Sequence, residues 1–331
     1  MDTAFLVFVA AIAMSYVYAF VGGFTDAANA IATSVGTRAF TPGQAVIVAG
    51  VFEMLGALTG TAVALTIGTG VVHVEFLTQG AVVAALAGAM TWSLLTYRFG
   101  IPVSETHGLI GGILGVGLLY AGTDGIIWGG VTPVLLAIVA SPALGIVGGM
   151  LMLLLVRAIF HHPHRSTGVR WTRNLQRLSA IYMAFSHGRN DAQKPMGVLT
   201  LALVVYLGLP ADQVPVWVIV TVGLVAAMGV AVGGWRIIRT LGMRITGLDS
   251  AQGFAAETSA ATVLQLASEA GIPVSTTHTI TSAIVGVGAV SNWRSIRWTL
   301  VMEIVSSWIL TLPATILFGY LYAALLRGIL G

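Results

Sequence analysis

The sequence predicts an all-α polytopic membrane protein made of two inverted repeats, each with three crossings and one re-entrant helical hairpin. Three observations carry that prediction. Of 331 residues, 57% are hydrophobic and only 8% charged, with a mean hydropathy of +0.94, whereas soluble domains carry roughly 25% charged residues. An octapeptide embedded in apolar sequence, GIPVSETH at Gly100 to His107, returns as GIPVSTTH at Gly271 to His278. Finally, basic residues collect in particular turns once each hairpin is folded back to the side it entered from.

Each octapeptide contains a Gly-x-Pro break, which ends one helix. The Ser two residues after the Pro is placed to cap the next. The second arm then presents free backbone N–H groups, hydroxyls and the positive end of its dipole, an anion-binding arrangement. Two such tips, one per half, are the pattern of a transporter with internal repeats and a central site.

Taken in order, residues 4–37 form a first crossing with a polar knot from Thr25-Asp26 to Asn29. Its helix is expected to break or distort near Gly22-Gly23. No Lys or Arg precedes Arg38, so this stretch reads as an uncleaved span, not a signal peptide. Residues 44–68 cross with Glu53, a loop runs to Gln79, and 80–99 and 103–120 are the first hairpin's arms. Residues 131–156 cross again, and Arg157 to Arg177 is a soluble basic stretch. In the second half 178–207 cross, with a polar knot from Ser186 to Lys194, followed by a loop at 208–215. Residues 216–239 cross next, 250–270 and 274–290 form the second hairpin, and 298–326 cross last. The units are thus a first repeat (1–157), a cytoplasmic basic loop (158–177) and a second repeat (178–331).

With the 157–177 loop placed in the cytoplasm, Arg38, Arg236, Arg239, Arg244, Arg294 and Arg297 also fall inside. The loops at 69–79, 121–130 and 208–215 fall outside without a Lys or Arg, and only Arg327 breaks the rule. Both termini are then outside a cell membrane. Asp26 to Asp191 is 165 positions and Gly100 to Gly271 is 171, a near-constant offset that marks a duplication.

Several classes are excluded. There is no Cys, hence no disulfide or thiolate site. No basic-aromatic clustering suggests nucleic acid. Neither Gly-x-Ser-x-Gly nor His-Glu-x-x-His occurs, so an enzyme is not expected. No cofactor loop is expected either. The run His161-His162-Pro163-His164 reads as a solvated loop.

Intramembrane charge costs roughly 2.5–3.5 kcal/mol per residue and needs a partner or a task. The candidates are Asp26, Asn29 and Glu53 in the first half, and Asn190, Asp191, Lys194 and Glu257 in the second. The knots align as GFTDAANA and GRNDAQKP. Carboxylate and amide oxygens beside a helix break suit Na⁺ or a proton. Glu53 and Glu257 have a second reading as partners of a buried cation such as Arg98 or Lys194. Lys194 reads either as an anion contact or as an ammonium filling a place that holds Na⁺ in the other half. At the tips, Ser104, Thr106, Ser275, Thr276 and Thr277 serve as caps, anion ligands or both. His107 and His278 follow directly and read as packed side chains.

These residues together resemble the inorganic phosphate transporter (PiT) family, which includes bacterial low-affinity phosphate permeases and sodium–phosphate symporters. The family signature G-x-N-D-x-A-N-A is met by Gly23, Asp26, Ala28, Asn29 and Ala30, with Thr25 where Asn is usual. S-H-G-x-N-D-A-Q-K is met from Ser186 to Lys194. The hairpin motif is met by Ile101 to His107 and Ile272 to His278, and Glu53 and Glu257 stand where the family carries membrane glutamates. The resemblance implies a homodimer importing phosphate with Na⁺ or H⁺. It implies Asp26, Asn29, Asn190 and Asp191 as cation or substrate ligands and the hairpin hydroxyls as phosphate ligands. A sulfate carrier of the same family is the nearest alternative, and an anion channel a more distant one.

Overall fold

A computed structural model describes residues 2–160 and 165–330. The first half comprises α1 (Thr3–Gly36), α2 (Pro42–Ala57), α3 (Ala62–Thr69), α4 (Gln79–Phe99), α5 (Glu105–Ala121) and α6 (Trp128–Ile159). The second comprises α7 (Arg165–Asp191), α8 (Gln193–Leu207), α9 (Val216–Val232), α10 (Trp235–Arg239), α11 (Ser250–Glu269), α12 (Thr276–Asn292) and α13 (Trp298–Leu330). Among the described residues the β-structure is confined to one isolated bridge between Val72 and Ile126. By length and composition five helices, α1, α4, α5, α6 and α13, can cross a membrane. The count is seven if the bent pairs α2/α3 and α9/α10 are each one span. The chain is therefore a multi-pass membrane protein.

Three helices run far beyond the roughly 20 residues a bilayer needs: α1 has 34 residues, α6 has 32 and α13 has 33. Contrary to the expected break at Gly22-Gly23, α1 is continuous. Gly23 serves close packing instead: a Cβ there would lie 3.0 Å from the carbonyl carbon of Ala226 on α9. The reciprocal contact comes from Gly229, whose Cβ would lie 2.9 Å from the Phe24 nitrogen. The same device joins α7 to α2, where Gly188 abuts the backbone of Glu53 and Gly56 abuts Phe185 and Arg189. Small residues at such crossings let helix backbones touch.

The second crossing is bent by 73° between α2 and α3, and its later counterpart by 58° between α9 and the α10 segment. The basic turn at 236–244 is itself helical, α10 running into a π-helical turn at Thr240–Arg244. The 158–177 loop is also corrected. From Arg165 onward it is the first half of α7, whose arginines extend the helix past its apolar part. The His161 to His164 run lies outside the described residues.

Both octapeptides form the joints of helical hairpins, α4 to α5 and α11 to α12. Gly100 (φ 69°) and Gly271 (φ 66°) close their helices in the left-handed conformation, where glycine has no Cβ penalty. The next amide bonds back in each: Ile101 N–H to Thr96 O at 3.1 Å and Ile272 N–H to Ala267 O at 2.9 Å, the Schellman closure. Ser104 and Ser275 then cap α5 and α12, accepting the N–H of His107 and of His278 at 3.1 Å each. Each hairpin packs on the last helix of the other half, α5 on α13 and α12 on α6. Each glycine carbonyl is held from the other half too: Thr240 donates to Gly100 O and Thr66 to Gly271 O, both at 2.8 Å. The hairpin arms α4 and α5 are buried inside the protein over 61% and 67% of their apolar windows, against 28% and 22% for α6 and α13.

Candidate functional site

The two hairpin tips meet. The His107 and His278 rings lie 4.8 Å apart, edge to face, and His278 stacks on Trp308 of α13 at 4.0 Å. Thr106 donates to Val274 O across the joint at 3.0 Å. Trp308 Nε1 donates to Pro102 O at 3.2 Å. Ser104, Thr106, Ser275, Thr276 and Thr277 are all buried.

Beside this joint the α1 knot and the α7–α8 junction bring together the candidate charges. Asp191 is densely held. Lys194 Nζ lies 2.9 Å from its Oδ2, and His187 Nε2 lies 3.2 Å from the same oxygen. Asn190 Nδ2 donates to its Oδ1 at 2.8 Å, and Thr276 Oγ1 lies 3.1 Å from both oxygens. Asp26 is held loosely: its buried Oδ2 has no hydrogen-bond partner and sits 4.0 Å from Lys194 Nζ. Asp26, His187 and Asp191 each offer a ligand atom, all within 4.8 Å of one another. Asn29 reaches the opposite hairpin, donating to Thr277 Oγ1 at 2.9 Å. Asn190 also donates to Val274 O at 3.2 Å. Thr25, where the resemblance leads one to expect Asn, donates to Glu105 Oε1 at 2.9 Å.

The glutamates separate. Glu53 pairs with His187 Nδ1 at 2.8 Å and so belongs to the Asp191 cluster. Neither Arg98, which is exposed, nor Lys194 is its partner. Glu257 does not join them. It accepts from Thr33 at 2.6 Å, from Gln176 at 3.3 Å and from Ser179. Thr33 lies seven residues along α1 from Asp26, about 10 Å at the helical rise. The residue that faces α1 as Glu53 faces α7 is Ala226 on α9. Glu53 and Glu257 therefore do not occupy matching places. Lys194 lies against carboxylates, not against the hairpin hydroxyls.

Two buried groups escape a reading of the sequence alone. Glu105, hydrogen-bonded by Thr25 and Ser93, is the single difference between the two octapeptides, where Thr276 stands in the second. That difference is a readable signal. His187, four residues before Asp191, bridges Glu53 and Asp191; only its place in the Ser186–Lys194 motif points to it. A cavity lined by Tyr18, Glu53, Glu105, His187, Asp191 and Lys194 holds about 20 Å³ for the centres of water-sized molecules. At about 10–15 Å³ each, that is one or two waters. Gln193 completes the junction by capping α3, accepting the N–H of Val63 at 2.8 Å and of Ala64 at 3.2 Å.

Buried, paired charge beside the meeting tips of two helical hairpins, inside an all-helical membrane protein, defines a membrane transport protein. The pattern of the phosphate transporter family matches residues 22–319. The chain is 43% identical to a Rhizobium meliloti (strain 1021) protein named "Probable low-affinity inorganic phosphate transporter", over 96% of each chain. A Bacillus subtilis (strain 168) protein of the same name is 35% identical over 96% of this chain and 97% of its own. A solved structure named "The sodium-dependent phosphate transporter" is similar with a TM-score of 0.88 at 26% identity, covering 98% of this chain and 100% of that one. This chain belongs to the phosphate transporter family.

Proposed function

We propose that the protein is a secondary active transporter that imports inorganic phosphate by symport with a cation, Na⁺ or H⁺, through alternating access. The observation that carries this reading is the meeting of two capped helix N-termini, those of α5 and α12, beside Asp26 and Asp191. N–H groups and hydroxyls of Ser104, Thr106, Ser275, Thr276 and Thr277 take the tetrahedral anion. Asp26 with Asn29, and Asn190 with Asp191, serve the cation side, with Glu53 and Glu257 behind them. The similar solved structure is sodium-dependent by name, which favours Na⁺.

The halves are inverted repeats and the hairpins re-entrant in this reading. Support comes from paired contacts: Gly23 with Gly229 against Gly188 with Gly56, and Thr66 against Thr240 at the hairpin glycines. The charge count puts both termini outside, and the family resemblance favours a homodimer. In the present arrangement the tip hydroxyls are spent on caps and cross-contacts, and the adjoining cavity is water-sized. Anion binding therefore exchanges these contacts as the tips part, which couples loading to movement of the repeats.

The test is uptake of labelled phosphate by the purified protein in liposomes, under an imposed Na⁺ gradient and separately under a pH gradient. Accumulation against the phosphate gradient, abolished in D26N and D191N, is expected. Downhill flux alone indicates a channel, competition by sulfate over phosphate a sulfate carrier, and uptake indifferent to both substitutions removes the aspartates from the mechanism.

A further inference from the structure

The two aspartate knots carry the same frame but not the same charge. Three residues after Asp26 stands Asn29; three residues after Asp191 stands Lys194. The amide of Asn29 is neutral and turned to Thr277 of the opposite hairpin at 2.9 Å. The ammonium of Lys194 is turned inward, 2.9 Å from Asp191 Oδ2 and 4.0 Å from Asp26 Oδ2, with the residue only 2% exposed. It also lies at the start of α8, where the helix dipole disfavours a cation, so its place depends on the carboxylates. Asp191 is thus supplied with a cation and three further partners, while the buried Oδ2 of Asp26 has no hydrogen bond.

We propose that Lys194 is a tethered cation: its ammonium takes the place at Asp191 that a mobile ion would otherwise occupy, leaving Asp26 as the aspartate that loads one. Resting on the symport reading above, this names the residue that sets how many ions accompany each phosphate. A carrier that brings one positive charge on its own chain neutralises the buried carboxylates with one fewer ion. The converse follows. Replacing Lys194 by the residue the first half uses, Asn, opens a second mobile-cation place with the same aspartate and amide three residues apart as the first.

The experiment compares wild type, K194N, K194Q and K194R as purified full-length protein. Bound ²²Na⁺ per chain is counted by equilibrium dialysis, and the thermal midpoint is followed against NaCl at constant ionic strength. Expected is one more Na⁺ per chain in K194N and K194Q than in wild type and K194R. The midpoint of the neutral variants should rise with Na⁺ as a ligand-bound state must, and more steeply than in wild type. In liposomes, K194N moves one more charge per phosphate, which at 100 mV raises the attainable accumulation ratio about 50-fold. Equal Na⁺ stoichiometry in wild type and both neutral variants, zero included, overturns the proposal. So does an extra Na⁺ in K194R. Absence of phosphate uptake by wild type would instead overturn the symport reading, and the ²²Na⁺ count is read independently of it.

Discussion

Removing the Asp191 charge by D191N isolates what the buried ion pair contributes to the fold. The side chains of Lys194 and Asp191 are 3% and 13% exposed, with Nζ 2.9 Å from Oδ2. At an effective dielectric of about 20 that contact is worth about 6 kcal/mol of gross Coulomb attraction. The amide keeps acceptor geometry for Thr276 and Asn190 but leaves the ammonium to Asp26, 4.0 Å away, where the same formula returns about 4 kcal/mol. The surviving partner softens the usual cost of breaking a buried pair, about 3–5 kcal/mol, so a loss near 3 kcal/mol is expected. K194M made together with D191N removes the stranded ammonium and should bring stability back to within about 1 kcal/mol of wild type. The measurement is equilibrium unfolding in detergent followed by Trp fluorescence, with phosphate uptake measured in parallel. Uptake should be lost in both variants, separating the stability role from the transport role. A D191N protein within 1 kcal/mol of wild type, or a double variant no more stable than D191N, would refute the assignment of Asp191 as the partner that holds Lys194 in place.

Other expectations are more direct. In G188A the new Cβ would lie 2.6 Å from the carbonyl carbon of Glu53. Overpacking of about 1–3 kcal/mol should follow, read as a lower thermal midpoint together with reduced uptake as the Glu53–His187 pair is pushed apart; an unchanged midpoint would show that the α2–α7 contact is slack. E257Q keeps the shape and the hydrogen bond from Thr33, so its stability should stay within about 1 kcal/mol of wild type. If its charge serves the cation path, uptake falls by about 10-fold or more, while unchanged uptake assigns Glu257 to packing. Because the chain has no Cys, H107C made together with H278C places two unique thiols at the hairpin joint. A short bis(methanethiosulfonate) should link them through two mixed disulfides, block uptake and release it on reduction. Failure to link under any condition would contradict the docked tips.

How much is legible in the sequence follows from the range of the forces. The glycine–proline break, the serine cap and the capped α5 and α12 starts depend on neighbours within about four residues, so the octapeptides declare them. The short runs between α4 and α5 and between α11 and α12 match that expectation. The candidate charges are legible because a charge among apolar residues is costly wherever it lies. Inference from glycine alone fails. Gly22-Gly23 reads as a break, but within a bilayer a helix keeps its backbone bonds, and Gly23 is used on the approach of α9. Likewise the arginines before Arg177 read as a loop because they are polar, yet polarity is compatible with a helix that continues beyond the lipid.

The sequence by itself determined the membrane class, the returning octapeptide, the two hairpin joints and most of the buried groups that need partners, all consequences of local composition and spacing. Only the tertiary structure decided the partners. It gave His187 to Glu53 and Asp191, Lys194 to the two aspartates, Thr25 and Ser93 to Glu105, and Glu257 to a network of its own. Those pairings join residues mostly more than 60 positions apart. They depend on which helix faces meet and at what register, quantities set by glycine contacts and crossing geometry across the whole bundle.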